Sequence, residues 1–224
     1  MSIKLYYALP SPPCRATLLT IKALQLEVDL VPINLVAQEH LTTDFLKINP
    51  FHTLPTIQDE EFYIWDSHAI NCYLVDKYGE DDGLYPKDLE RRAVVNQRLH
   101  FDSNVLSARF AAIVSPILRE GARIIPKDKS DALLQGLTLL ESLLEKSYYV
   151  TGNTLTIADF SLVATVSSAN AVLPLASNRF PNIFEWLARM ESLPYYQEAN
   201  QEGLDAFATM LKSKHLVRQA SAVK

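Results

Sequence analysis

Ser11-Pro12-Pro13-Cys14 has the spacing of a Cys-x-x-Cys redox turn, with serine in the place of the first, reactive cysteine. The position is kept and the dithiol chemistry is lost. The stretch follows an apolar run, Ile3 to Leu9, and opens an amphipathic one from Ala16 to Leu26. That order predicts strand, turn and helix start. A hydroxyl at a helix N-terminus lies among backbone N–H groups and the positive end of the dipole, where an anion is favoured. It can therefore hold the thiolate of a separate thiol cofactor. The plain structural reading is a serine N-cap followed by proline at the first helical position. Taken alone, the motif favours that plain reading.

Three further stretches carry chemistry or capping signals. In Asn49-Pro50-Phe51-His52-Thr53-Leu54-Pro55 the residue before each proline is driven toward extended geometry. A cis Leu54-Pro55 bond would turn the Leu54 N–H and C=O outward, to pair with a bound peptide as an added strand would. A trans proline on an edge strand is the commoner arrangement, and His52 is then a surface histidine with no role. Trp65-Asp66-Ser67-His68-Ala69-Ile70 reads as a strand end and a helix start. Asp66 or Ser67 can cap that helix, its first N–H groups can bind a carboxylate, and Asp66 can accept from an ammonium group. Both charges belong to an α-amino acid end, whereas ordinary capping needs no ligand at all. Thr156-Ile157-Ala158-Asp159 is a capping box flanked by Leu155 and Phe160 as a hydrophobic staple, and its role is structural.

These residues need elements to hold them. Ahead of a turn-rich linker, Gly79 to Pro86, the pattern reads strand Ile3–Leu9, helix Pro13–Leu26, strand Val28–Leu35 and short helix Thr43–Ile48. It continues with strands Leu54–Gln58 and Phe62–Trp65 around an acidic turn, then helix Ser67–Tyr78. Beyond the linker no segment reads as strand. Helical patterns cover Leu89–Gly121, Ser130–Ser147, Thr156–Val172, Ile183–Leu193 and Gly203–Lys212, while His215 to Lys224 lacks a pattern. Pro116 falls inside the long helix, where it removes a hydrogen bond and is expected to kink it.

Bulk composition narrows the partners. The net charge of −5 and the absence of a long basic cluster make nucleic acid and anionic membrane surfaces poor partners. No apolar run approaches the ~18 residues that span a bilayer. The N-terminus enters a strand with no signal-peptide core, and Cys14 and Cys72 form no disulfide framework, so the expected setting is the cytosol. The histidines at 40, 52, 68, 100 and 215 show no ligand spacing with the cysteines, so no metal is expected.

Taken together and in order, these stretches resemble one family. The resemblance is carried by Ser11-Pro12-Pro13-Cys14-Arg15, Glu39-His40-Leu41, Phe45 through Pro55, Asp66 through Ile70, Tyr73 through Gly79, Leu84-Tyr85-Pro86 and Thr156 through Ser161. The chain is similar to the cytosolic glutathione S-transferases, specifically the insect delta and epsilon classes. Leu193 to Asn200, and His68 after Ser67, favour epsilon. The resemblance implies a thioredoxin-like α/β domain at 1–79, a linker at 80–88 and an all-helical domain at 89–224 that carries the electrophilic-substrate site.

It also implies roles. Ser11 is the catalytic serine that donates to the glutathione sulfur. His52 and His40 contact the glycine end, the Leu54 backbone pairs with the cysteinyl part, and Pro55 is the cis proline. Asp66 and Ser67 hold the γ-glutamyl end, with His68 beside them. Asp66 stands where these classes more often have glutamate, one methylene longer. Leu9 and Pro10 are expected on one wall of the electrophile pocket. Phe110, Ala111, Val114 and Leu118 follow i, i+1, i+4, i+8 spacing on the other, with Phe207 as a lid; ordinary inter-helix core is the competing reading of that stripe. Some epsilon members carry bulky or charged groups where this chain has Ala111 and Ala112. The expected protein is a homodimeric enzyme that conjugates the glutathione thiolate to hydrophobic electrophiles in detoxification. Two alternatives stand beside it: a non-catalytic carrier of hydrophobic ligands, and a thiol reductase on the same fold.

Overall fold

A computed structural model of the chain describes residues 3–214, so the tail from His215 onward lies outside the described residues. Apolar and polar residues alternate in β1 (Ile3–Tyr7), and Ile3 and Leu5 turn inward. The α1 helix (Pro12–Ala23) crosses to β2 (Val28–Pro32), which pairs parallel with β1 from Ile3↔Val28 to Tyr7↔Pro32. After the short α2 (Thr43–Ile48), β3 (Thr56–Asp59) runs antiparallel to β1 and β4 (Phe62–Trp65) antiparallel to β3. The sheet order is β2-β1-β3-β4. Helix α3 (Ser67–Tyr78) then packs back on the sheet beside α1.

Three strands are shorter than expected: β2 stops at Pro32 rather than Leu35, and β1 and β3 are cut short for local reasons. The Ser11 N–H closes a turn onto the Ala8 carbonyl at 2.9 Å, which ends β1 before Leu9. Pro55 has no N–H to give the ladder, so β3 starts at Thr56; the Leu54-Pro55 bond is cis. At the far end of α3, Asp59 fixes the helix to the sheet. Its Oδ2 accepts from Tyr73, Tyr78 and Lys77 at 2.6, 2.6 and 2.7 Å. Burial raises its pKa, but those three donors outweigh burial and hold it below the usual carboxylate range.

The second half is helical: α4 (Leu89–Phe101), α5 (Ala108–Glu120), α6 (Lys127–Leu144), α7 (Ile157–Val172), α8 (Pro181–Glu191) and α9 (Glu202–Ser213). The long helix expected from Leu89 to Gly121 is not uniform. Asp102–Ser107 widens into π turns between α4 and α5. Pro116 lies inside α5, and Gly121 (φ 71°) stops it in the left-handed conformation that glycine takes readily.

Helix α7 is apolar or small on every face and is the buried axis of the molecule. Its start is held by Asp159, which accepts from the Thr156 N–H (2.9 Å), the Val150 N–H (2.9 Å) and Trp186 Nε1 (3.1 Å). Complete burial nevertheless pushes this carboxyl up to about 6. Arg15 ties the two halves together. Its buried guanidinium leaves α1 and donates to the Ala164 carbonyl and Ser168 hydroxyl of α7 and to Asn200.

Candidate active site

The N-terminal turn of α1 positions Ser11. Its backbone is extended (φ −76°, ψ 122°), Pro12 occupies the first helical position, and the side chain makes no capping bond. The hydroxyl instead lies close enough to the Cys14 thiol to lower that group's pKa. A thiol sulfur is a weak acceptor, so an incoming thiolate competes easily for the same O–H. Cys14 itself is fully buried and accepts the Ala8 N–H at 3.4 Å. Burial raises it to about 11 despite that bond, Ser11 and Arg15. A thiol of that kind is a poor nucleophile, which argues against the reductase reading.

Asp66 takes a left-handed backbone (φ 75°), uncommon outside glycine, at the junction of β4 and α3. Its Oδ1 caps the helix, accepting from the His68 N–H (2.9 Å) and the Ala69 N–H (3.3 Å). The cap engages one carboxylate oxygen, and the exposed side chain lines a cavity beside buried Ser67.

That cavity has a volume of about 710 Å³ and lies where α1, the start of α3, α5 and α9 meet. It brings together Ser11, Asp66, Ser67 and His68 with Leu9 and Pro10 on one side. Phe110, Ala111, Val114 and Leu118 face them from α5, and Phe207 from α9. The stripe is wall and core at once: Ala111 is exposed, Phe110 and Val114 are largely buried. Phe207, expected as a lid, is 2% exposed and rests against Phe110 with ring centroids 6.0 Å apart.

His40, His52, Leu54 and Pro55 are not on the cavity lining. His52 is exposed, Leu54 half-buried and Pro55 buried, and the Leu54 backbone lies outside the ladder that begins at Thr56. Asn49 shapes their loop by donating to Thr53 and Thr56 and accepting from the Phe51 N–H at 2.8 Å. The His40 and His52 rings sit 6.1 Å apart. His40 is held below its usual pKa by burial first, then by His52 and by Arg119.

Several lining residues were not legible as a site. His68 Nε2 lies 3.0 Å from Asp102 Oδ2, and Ser107 donates to Asp102 Oδ1 at 3.1 Å and bonds Thr165 at 3.1 Å. Asp102 is buried in the π segment, so this chain joins the start of α3 to α7 across the cavity. An acid inside an otherwise amphipathic helix was the available signal, but its partner lies 34 positions away. Leu35, Val36, Arg119 and Met210 also line the space. Among the described residues no group of three or more His, Cys, Asp or Glu converges as a metal site, and no helix is long and apolar enough to cross a membrane.

A four-stranded sheet entered by a serine turn and backed by a helical half, with a cavity between them, defines a thioredoxin-like transferase architecture. Residues 1–76 match the glutathione S-transferase N-terminal domain and residues 127–189 the C-terminal domain. Glutathione S-transferase 1 of Manduca sexta is 38% identical over 96% of this chain and 99% of its own length. An epsilon-class glutathione S-transferase from the housefly, Musca domestica, superposes with a TM-score of 0.94 at 45% identity, over 96% of this chain and 100% of that one. A glutathione transferase homologue from Drosophila mojavensis, solved with bound glutathione, gives a TM-score of 0.93 at 42% identity over 95% and 97%. The chain belongs to the glutathione S-transferase family, with insect enzymes as its relatives.

Proposed function

We propose that this protein conjugates the thiolate of glutathione to apolar electrophiles, as a detoxification enzyme. The observation that carries the reading is the single cavity in which the uncapped Ser11 faces both the capped start of α3 and the apolar wall of α5. The Ser11 hydroxyl donates to the glutathione sulfur. The thiolate, and not the thiol, is the nucleophile, and a free thiol has a pKa of about 8.5. Lowering it by about 2 units needs roughly 2.7 kcal/mol of preference for the charged form. One charge-assisted hydrogen bond (about 1.5–3 kcal/mol) and the α1 N-terminus (about 0.3–1 kcal/mol) supply that order of energy. Sulfur then forms its bond to the electrophilic carbon while the leaving group departs with its electron pair.

The remaining assignments follow the family. Asp66 receives the γ-glutamyl ammonium and Ser67, with the first N–H groups of α3, its carboxylate. The Leu54 backbone, exposed by cis Pro55, pairs with the cysteinyl part, and His52 and His40 take the glycine carboxylate. His68, bonded to Asp102, steadies the start of α3. Residues 1–79 form the glutathione-binding domain and 89–224 the electrophile-binding domain. Two chains form the working unit in the cytosol.

A carrier of hydrophobic ligands is supported by the same large apolar wall. Turnover separates the two readings. Purified protein with glutathione and 1-chloro-2,4-dinitrobenzene should release chloride and accumulate the thioether. Tight binding of apolar dyes without turnover, across several electrophiles, would leave only the carrier.

A further inference from the structure

Among the described residues, Arg119 is the one lysine or arginine on the cavity lining. It is exposed, and no carboxylate of the described residues pairs with it. Ser115, one turn back on the same face of α5, and the adjacent Leu118 line the cavity with it. The two ends of the cavity therefore differ in charge. At one end are Asp66 and Asp102, beside Ser107. Arg119 follows about 18 Å further along the helix, at about 1.5 Å per residue. The lining also carries apolar side chains, Val114 and Leu118 of α5 with Leu35 and Met210 from other segments.

Charge balance at the Arg119 end points outward from the protein. Burial first, then His52 and Arg119, hold His40 below its usual pKa, so Arg119 lies near the two histidines, which are themselves off the cavity lining. Arg119 is thus a fixed positive charge on the lining, while the single glycine carboxylate that glutathione brings is assigned to His52 and His40, which lie off it. A second anion is accommodated at that end, and the apolar lining accepts the body of the molecule that carries it.

We infer that Arg119 selects electrophiles that pair an apolar body with a carboxylate, such as unsaturated-carbonyl acids. This rests on the glutathione-transfer reading. With an enone acid, the thiolate forms a C–S bond at the β-carbon, and the π pair moves to the α-carbon as an enolate. Water then supplies the proton there. Arg119 holds the carboxylate through charge-assisted, bidentate hydrogen bonds and takes no part in the bond changes.

The test compares ethacrynic acid, a carboxylate-bearing enone, with its methyl ester on the full-length protein. Arg119→Ala should lower the acid-to-ester ratio of kcat/KM about tenfold, Arg119→Glu further, and Arg119→Lys much less. The glutathione KM should stay within twofold in the Ala variant. An unchanged ratio in the Ala and Glu variants overturns the inference. So does a tenfold rise in glutathione KM at constant ratio, which would assign Arg119 to the glycine end. If the wild type turns over neither compound, 1-chloro-2,4-dinitrobenzene decides the transfer reading, which fails only if that too is inert, and calorimetry with decanoate against decanol reads Arg119 in either case. A tenfold loss of decanoate affinity in Arg119→Ala, with decanol unaffected, supports its role, and equal losses or none overturn it.

Discussion

A serine placed before two prolines keeps its hydroxyl out of the helix that follows. The N–H that a proline at the first helical position lacks is one that helix starts leave unpaired anyway. Ser11 makes no cap bond, and its contact is the poorly accepting Cys14 thiol. Ser11→Ala should therefore leave glutathione affinity within a few-fold and lower kcat/KM about 10- to 100-fold near neutral pH, equivalent to roughly 1.4–2.7 kcal/mol. The loss should shrink as pH rises and the thiol ionises unaided. A capping role alone would give a pH-independent rate effect and a stability loss of about 1 kcal/mol. The placement of Ser11, Asp66 and Ser67 on the cavity was legible because each lies at an element boundary, where residue type and local chain direction decide position. Asp102, Ser107 and Arg119 were not, because each lies inside one long helical pattern and acquires its neighbours only through tertiary packing.

At the scale of elements, the site depends on how α9 meets the turn ahead of α1. Gly203 is buried at the start of α9. A Cβ there would come within 2.3 Å of the Leu9 carbonyl oxygen and 2.5 Å of Arg15 Cδ. Glycine is needed for that approach, which brings Phe207 and Met210 over the cavity. Gly203→Ala should force the Ser11 turn and α9 apart at a cost of about 1–3 kcal/mol. Thermal unfolding should then move down by about 2–10 °C, with electrophile KM rising more than glutathione KM. A melting temperature within a degree of wild type would show that the turn yields freely. The βαβ–α–ββα order and the all-helical second half were readable from periodicity and capping, but the one helix expected over Leu89–Gly121 is two, α4 and α5. The π segment at Asp102–Ser107 was not readable, since one added residue per turn leaves little trace in a hydrophobic pattern.

At the scale of the molecule, the sheet and the helical half are joined through Arg15, α7 and the His68–Asp102 pair, and the cavity exists because they are joined. Exposed Phe51, stacked on Trp65 with centroids 5.5 Å apart, and exposed Leu89 and Val94 on α4 leave apolar surface outside that core. Such surface suits a two-fold partner. Sedimentation at micromolar concentration should give twice the chain mass of 25.2 kDa, and a single-chain mass in ordinary salt would refute the dimer. Thiol activation in this cavity is what the proposed function requires. Ultraviolet absorbance of the thiolate, titrated against pH with glutathione bound to the intact protein, reads it directly. An apparent pKa about 2 units below the free value of about 8.5, moving back up in Ser11→Ala, is the predicted result. Bound glutathione that titrates at the free value in both proteins would contradict it.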